Sequence, residues 1–138
     1  MLENILPLVR HELVLDKIQL IQNIPSNLLP IRADRRHIEE ILFNLIVNAC
    51  QAMKEKGGRI EVSAEQYKEI VKVKIDDSGP GISSEQLRRI FEPFYTTKEE
   101  GTGLGLHVVK QLIERNGGSI SVKSKIGFGT VFLLEFRQ

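Results

Sequence analysis

Hydrophobic residues recur along this chain with two different periods, and these periods predict the order of its helices and strands. A helical period covers about the first dozen residues, residues 35–54 and the stretch after Gly105. Alternation of hydrophobic and polar residues predicts strands over residues 17–24, 59–66, 71–77 and 119–125, and a run hydrophobic on both faces predicts an interior strand over 130–136. We therefore expect a two-layer α/β sandwich, with a mixed sheet of about five strands and helices on one face.

Residues with strong positional preferences predict where the helices begin and end. Asp34 is a suitable N-cap for the long helix, and Gly57-Gly58 ends it. Ser83 to Gln86 fit a capping box at the start of a short helix that runs to about residue 90. Pro7 either starts or interrupts the first helix.

The long helix carries a second stripe beside its hydrophobic one, and this stripe differs from an ordinary solvent face. Its members are His37, Glu40, Asn44, Asn48 and Gln51. Asparagine is unfavourable inside a helix because its side chain competes for backbone hydrogen bonds. Two asparagines one turn apart therefore indicate a role that offsets this cost.

The strand over residues 71–77 ends in two aspartates, and its period of two separates them. Asp77 shares the face of the hydrophobic residues, whereas Asp76 lies on the opposite face. A carboxylate only accepts hydrogen bonds, so Asp77, followed by Ser78-Gly79-Pro80-Gly81, suits a ligand that presents an amino group, such as adenine. The alternative is a carboxylate that caps its own turn through the Ser78 and Gly79 amides.

A glycine-rich loop, Gly101-Thr102-Gly103-Leu104-Gly105-Leu106, leads directly into a helical segment. Such a loop lets phosphate approach backbone N–H groups, although the same residues also fit an ordinary turn or hinge. The polar segment before it, residues 95–100, is interpreted as a mobile loop anchored by Phe91 and Phe94, or as a plain surface loop. The spacing fits neither a Rossmann fingerprint nor a Walker A loop.

Composition excludes several classes of function. The 19 basic and 18 acidic residues give a net charge of +1, so we expect no nucleic-acid partner. No hydrophobic run reaches the roughly 20 residues that span a bilayer, so we expect no direct membrane insertion. Cys50 is the single cysteine, which excludes an internal disulfide and agrees with a cytoplasmic location. The 138 residues suit one domain.

Four segments together resemble the catalytic ATP-binding domain of sensor histidine kinases. Residues 44–49 resemble its N box, 77–81 its G1 box, 91–94 its F box and 101–106 its G2 box, in the family's order. Residues 127–132 resemble its closing hairpin, so the resemblance covers about residues 30–136. It implies the Bergerat ATP-binding fold, of the nitrogen-regulation type with a short lid. It also implies that residues 1–16 are a linker helix from an upstream dimerisation domain.

The resemblance implies ATP and Mg²⁺ as cofactors and assigns roles to individual residues. Asp77 would accept the adenine amine, and Thr130 would assist through a bound water. Asn44 and Asn48 would be the catalytic residues that meet Mg²⁺ and the phosphates. The remaining nucleotide-binding positions implied are Gly79, Gly81, Ile82, Lys98, Gly101, Thr102, Gly103, Leu104, Gly105 and Leu106.

Two positions depart from the family's pattern. Many relatives carry a basic residue at the position of Gln51, so Lys54 or Lys98 would have to replace that phosphate contact. Relatives that hydrolyse ATP with water place a glutamate base where this chain has Asn44. Because a neutral amide cannot take a proton from water, we expect phosphoryl transfer rather than hydrolysis.

The expected function is transfer of the γ-phosphoryl of Mg·ATP to a histidine on the dimerisation and phosphoacceptor domain of the same parent. A response regulator would receive it next. No acceptor hairpin surrounds His11, so we expect the chain to bind ATP without phosphorylating itself. The isolated domain would be a monomer and its parent a homodimer, with membrane anchoring of the parent left open. The alternatives are a serine kinase of the anti-sigma type and a nucleotide-sensing module without transfer.

Overall fold

The computed structural model of the protein describes residues 2–25, 31–95 and 105–137. Their helices and strands follow the predicted order. The elements are α1 (Leu2–Leu15), β1 (Ile18–Asn23), α2 (Arg35–Ala52), β2 (Gly58–Tyr67), β3 (Ile70–Asp77), α3 (Ser84–Leu87), α4 (Gly105–Arg115), β4 (Ser119–Lys125) and β5 (Gly129–Arg137). In these described segments, no helix is both long enough and hydrophobic enough to cross a bilayer.

The strands form one mixed five-stranded sheet in the order β1-β2-β3-β5-β4, which confirms the predicted fold class. Only β1 and β2 are parallel, and the other pairs are antiparallel. Parallel neighbours need a crossover connection, and α2 provides it between β1 and β2. As predicted, β1 is an edge strand and β5 is interior.

The hydrophobic core lies between one face of the sheet and the helices. The helix α2 contributes Ile41, Leu45 and Ile46, none of which has exposed side-chain surface. The opposite face of the sheet carries charged and polar residues, including a cross-strand row in which Glu65 lies beside Lys72 and Lys72 beside Glu135. This polar face explains why the helices cover only one side of the sheet.

Two helix predictions differ from the structure. Pro7 neither starts nor interrupts α1, which begins at Leu2 and continues through the proline. Pro7 lies in the second turn, where its missing N–H removes the bond to the carbonyl of residue 3 without ending the helix. The short helix α3 ends at Leu87 rather than near residue 90, although its predicted capping box between Ser83 and Gln86 is confirmed.

Asp34 begins α2 as predicted, because its side-chain Oδ1 accepts a hydrogen bond from the Arg36 amide at 2.8 Å. This bond, helped by the charges of His37 and Arg36, holds the pKa of Asp34 below its ordinary value of 3.8. A lowered carboxyl pKa favours the folded state at neutral pH. The contribution is complete above the ordinary pKa and is lost as the pH falls through the lower, folded-state pKa.

Asn116, just after α4, ties that helix to the start of α2. Its Oδ1 accepts from the Asp34 backbone N–H at 2.9 Å, and its Nδ2 donates to the Leu112 carbonyl at 2.7 Å. The same Nδ2 lies 3.0 Å from Nδ1 of His37. One partly buried side chain thus joins the two helices that cover the sheet.

Replacement of Asn116 by Ala is expected to lower the free energy of unfolding by about 1–3 kcal/mol, because the Asp34 amide loses a partly buried acceptor. Chemical denaturation followed by circular dichroism measures the change. Gln111→Ala, at an exposed position of α4, is the control and should change stability by less than about 0.5 kcal/mol. Equal effects of the two substitutions would contradict a bridging role for Asn116.

Candidate functional site

One face of α2 connects the predicted site residues. Asn44, Asn48 and Ala52 follow one another at intervals of four residues, so they lie on the same face over a length of about 12 Å. Gly105, at the start of α4, lies next to Asn44. Gly79, after β3, lies next to Ala52. The face of α2 therefore spans the distance between the glycine-rich loop and the Asp77 turn.

Asp77 lies at the core-facing end of β3, as its phase predicts, and only 5% of its surface is exposed. Its Oδ1 accepts from the Gly79 amide at 2.9 Å. The Ser78 amide instead donates to the Arg59 carbonyl at 3.0 Å, so the turn-capping alternative holds for Gly79 and fails for Ser78. A carboxylate has about four acceptor positions, so a bond to Gly79 is compatible with a second role as acceptor.

The glycines around Asp77 are required by the packing of the protein itself. A Cβ atom on Gly79 would lie 2.9 Å from Oδ1 of Asp77 and 3.3 Å from Cγ of Met53. Gly81 has a φ of +83°, and its Cβ would overlap with the Lys125 carbonyl. The resemblance implies a nucleotide-binding position at Gly81, and the structure shows in addition that Gly81 packs closely on the turn between β4 and β5.

Gly129 was not among the predicted site residues, yet it contacts the backbone of Asp77. Its φ is +95°, and a Cβ atom there would overlap with the Asp77 carbonyl oxygen. The sequence offered a signal, because Gly129 directly precedes the buried Thr130 of an interior strand. It was interpreted only as part of a hairpin turn.

Thr130 lies opposite Asp77 in the register of β5 and β3 and is 5% exposed. Its Oγ1 is 2.8 Å from Oγ of Ser124, which also accepts from the Ile82 amide at 2.7 Å. Ser124 was not predicted. Ser124 shares the inward phase of Ile120 and Val122 on β4. Like Asp77, it is a polar residue on the hydrophobic face of a strand, and this signal was present in the sequence.

Asn44 is oriented toward the start of α4. Its Nδ2 donates to the Glu40 carbonyl at 2.8 Å, which partly offsets the cost of an asparagine inside a helix. Because a carbonyl only accepts, this bond assigns the amide orientation and directs Oδ1 away from Glu40. A Cβ atom on Gly105 would lie 3.5 Å from that oxygen. Asn48 is half-buried one turn further along α2.

Phe91 is anchored as predicted. Its ring contacts Phe132 edge to face with a centroid distance of 6.4 Å, and its carbonyl lies 3.3 Å from Nδ1 of His107 in the first turn of α4. Phe94 does not serve as an anchor, because its φ is +66° and 75% of its surface is exposed. The prediction of two aromatic anchors is therefore wrong for Phe94.

Part of the predicted phosphate end lies outside the described residues. This applies to Lys98, Gly101, Thr102, Gly103 and Leu104, so their predicted roles stay predictions. Gly105 and Leu106 are described, and Leu106 packs partly buried against the core. Lys54 is exposed just beyond α2.

The fold and the arrangement along α2 define an α/β domain of the ATPase type. The sequence pattern of the histidine kinase-, DNA gyrase B- and HSP90-like ATPases matches residues 33–138. The chain belongs to this family. The predicted resemblance to the catalytic domains of sensor histidine kinases is confirmed.

Individual relatives agree with this membership. The sensor histidine kinase ZraS of Escherichia coli K12 is 43% identical over 129 residues, which is 94% of this chain and 28% of that protein. The chain therefore spans little more than a quarter of that relative.

Solved structures confirm the Bergerat-type fold. The catalytic domain of histidine kinase ThkA has a TM-score of 0.85 at 34% identity, covering 98% of this chain and 88% of that one. Full-length ShkA in complex with AMPPNP has a TM-score of 0.85 at 29% identity, covering 99% and 29% of the two chains. ThkA in complex with response regulator protein TrrA has a TM-score of 0.79 at 28% identity, covering 99% and 39%.

Gly81 and Gly127 have similar backbone angles, so comparing their substitutions distinguishes the cost of backbone strain from that of steric overlap. Gly127 has a φ of +88° and open space where a Cβ atom would lie, so Gly127→Ala should cost about 1–2 kcal/mol from left-handed strain alone. Gly81→Ala adds an overlap with the Lys125 backbone and should destabilise the protein clearly more. Denaturant unfolding of both variants gives the comparison, and equal losses would rule out close packing as the reason for Gly81.

Proposed function

We propose that this chain binds Mg·ATP along α2 and donates the γ-phosphoryl group to a histidine on a separate phosphoacceptor domain. The proposal rests on one observation: a candidate base-binding group and a candidate phosphate-binding group lie at opposite ends of the same face of α2. The buried acceptor Asp77 lies beyond Ala52, and the start of α4 lies beside Asn44. Their separation of about 12 Å along the helix matches an extended nucleotide in scale.

The Asp77 end suits the adenine base. Asp77 and Thr130 are register partners on neighbouring strands, and each residue is 5% exposed. A buried pair of acceptors favours a ligand edge with N–H donors, because a carboxylate can accept several hydrogen bonds and the bond from Gly79 uses only one of those positions. The adenine amine provides such donors. Gly79, Gly81 and Ile82 form the turn that encloses this end.

The Asn44 end suits the phosphates and their metal ion. Backbone N–H groups at the start of α4 favour anionic oxygens, and this helix begins at Gly105 beside Asn44. Mg²⁺ prefers oxygen ligands and is commonly held by one or two protein groups together with substrate phosphates. The Oδ1 of Asn44, directed toward α4, fits this requirement, and Asn48 would be the second ligand. Bound Mg²⁺ would neutralise phosphate charge during transfer.

The same end favours transfer over hydrolysis. The position that would hold a general base is occupied by Asn44, whose Nδ2 already donates to the Glu40 carbonyl. An amide cannot accept the proton of an attacking water. The Asn44 side chain would therefore position Mg²⁺ and the phosphates and would not activate a water molecule. An acceptor histidine provides its own nucleophilic nitrogen and needs no such base.

The acceptor and the next partner belong to the rest of the pathway. The phosphoacceptor histidine would be carried by the dimerisation domain of the parent, with residues 1–16 as its linker and the parent a homodimer. A response regulator would then take the phosphoryl group. The relative ThkA is known in complex with response regulator protein TrrA, which supports this class of partner. We place the reaction in the cytoplasm.

The product's chemical stability tests the proposal directly. The chain is incubated with γ-labelled Mg·ATP and the separately prepared phosphoacceptor domain of its parent, and the labelled product is exposed to acid. Acid-labile label on that domain supports a phosphohistidine. Acid-stable label would instead identify a serine kinase, and nucleotide binding without any labelled acceptor would identify a sensing module. Either result would replace the proposal.

Asp77→Asn tests the adenine assignment. Loss of a charged acceptor, with an amide N–H in its place, should weaken ATP binding by about 10- to 100-fold, the equivalent of roughly 1.5–3 kcal/mol. Isothermal titration calorimetry measures the affinity. Asp76→Asn changes the neighbouring carboxylate on the opposite sheet face and should leave the affinity unchanged. Unchanged ATP affinity in Asp77→Asn would exclude Asp77 as the base-recognition residue.

A further inference from the structure

Ser124 lies at the meeting point of three segments around the Asp77 end. Its Oγ accepts from the Ile82 amide at 2.7 Å, donates to the Gly129 carbonyl at 2.9 Å and lies 2.8 Å from Oγ1 of Thr130. The side chain is half-buried on the inward phase of β4. It therefore joins the turn after Asp77 to the start of β5.

Counting protons determines the direction of the third bond. A serine hydroxyl has one proton and two acceptor positions. The carbonyl of Gly129 cannot donate, so it takes the Ser124 proton. The Ile82 amide cannot accept, so it occupies one acceptor position. The remaining position accepts the proton of Thr130, which satisfies all the groups of this cluster.

We infer that Ser124 is a positioning residue for nucleotide selectivity, because it holds the Thr130 proton away from the base site. With its proton directed to Ser124, Thr130 presents only lone pairs beside the carboxylate of Asp77, its register partner. Asp77 and Thr130 then both face the base as acceptors. At position 6 of a purine, such acceptors favour the amino group of adenine and disfavour an oxo group, whose oxygen also only accepts.

Loss of Ser124 changes the donor pattern without removing any proposed ligand contact. The Thr130 hydroxyl becomes free to rotate and to donate, either to the Asp77 carboxylate or to an incoming base. A donated proton lowers the acceptor strength of the site for an amine and stabilises a 6-oxo group. The inference rests on the proposed ATP function of this same site.

The test compares ATP with inosine triphosphate, which carries a 6-oxo group in place of the amine. The wild-type chain should bind ATP more tightly, and Ser124→Ala should narrow the ratio of the two dissociation constants by about 3- to 10-fold, or roughly 0.7–1.4 kcal/mol. Ser124→Cys, whose thiol is a weak donor and acceptor, should shift the ratio in the same direction and provides a second measurement if the alanine variant does not fold. Ser124→Thr keeps the hydroxyl and should retain the wild-type ratio.

Two controls separate selectivity from structural damage. Ser121→Ala lies on the exposed face of the same strand and should leave both dissociation constants unchanged. In a Thr130→Val background there is no proton to direct, so Ser124→Ala should have no further effect on the ratio. Circular dichroism confirms that each variant is folded.

The outcomes distinguish this inference from the proposed function. A wild-type chain that binds neither nucleotide would overturn the proposed function itself. A wild type that binds ATP with no preference over inosine triphosphate would overturn the inference. So would folded Ser124→Ala and Ser124→Cys variants that weaken both nucleotides equally, since that result indicates a purely structural role.

Discussion

Burial of the Asp77 carboxylate at the end of a core-facing strand is the constraint on which the rest of the site depends. A buried carboxylate must be hydrogen-bonded, and its neighbours must leave room for the groups that bond to it. Gly79 leaves that room beside the carboxylate of Asp77, and Gly129 leaves it beside the backbone carbonyl of Asp77. The turn after β3 and the hairpin before β5 are thus both packed around one residue. The sheet register then brings Thr130 to the same position.

The helix α2 sets the distance between the Asp77 end and the Asn44 end of the candidate site. Its hydrophobic stripe is fully buried against the sheet, so its orientation is set by packing and does not depend on a ligand. The neighbouring stripe consequently presents Asn44 and Asn48 at fixed positions relative to Asp77. Asn116 adds a second restraint by joining the end of α4 to the start of α2. A ligand that reaches both ends would therefore bind to a preformed surface.

The sequence predicted those features that depend on local periodicity. Strand β4 was predicted with the observed ends, and the phase of Asp77 followed from an alternation of only a few residues. Four short motifs in order also predicted the family, because each combines glycine or asparagine with a specific local geometry. These are properties of neighbouring residues, and neighbouring residues are what a sequence displays.

Contacts between distant segments were beyond this kind of reasoning. The bonds from Ser124 to Ile82 and from Asn116 to Asp34 span 42 and 82 residues, and their geometry depends on sheet register and helix packing together. Phe94 is exposed and has a left-handed backbone angle, and no pattern of hydrophobic residues specifies either feature. Gly81 shows the same limit in another form. Its identity was anticipated, but the partner that requires it, the Lys125 backbone, is 44 residues away by sequence number.

The overlap between packing and recognition at the Asp77 end has a consequence for how substitutions are interpreted. Gly79 and Gly81 lie in the turn after β3 and Gly129 in the hairpin before β5, the two segments packed around Asp77, the proposed base-recognition residue, so a change at any of them is expected to alter stability and binding together. Ser124 differs because it is proposed to act on the base only through the proton of Thr130, while its bonds to the Ile82 amide and the Gly129 carbonyl join the turn after β3 to β5. Since donor direction carries no steric signature, selectivity of this kind is visible only when every proton in the cluster is counted.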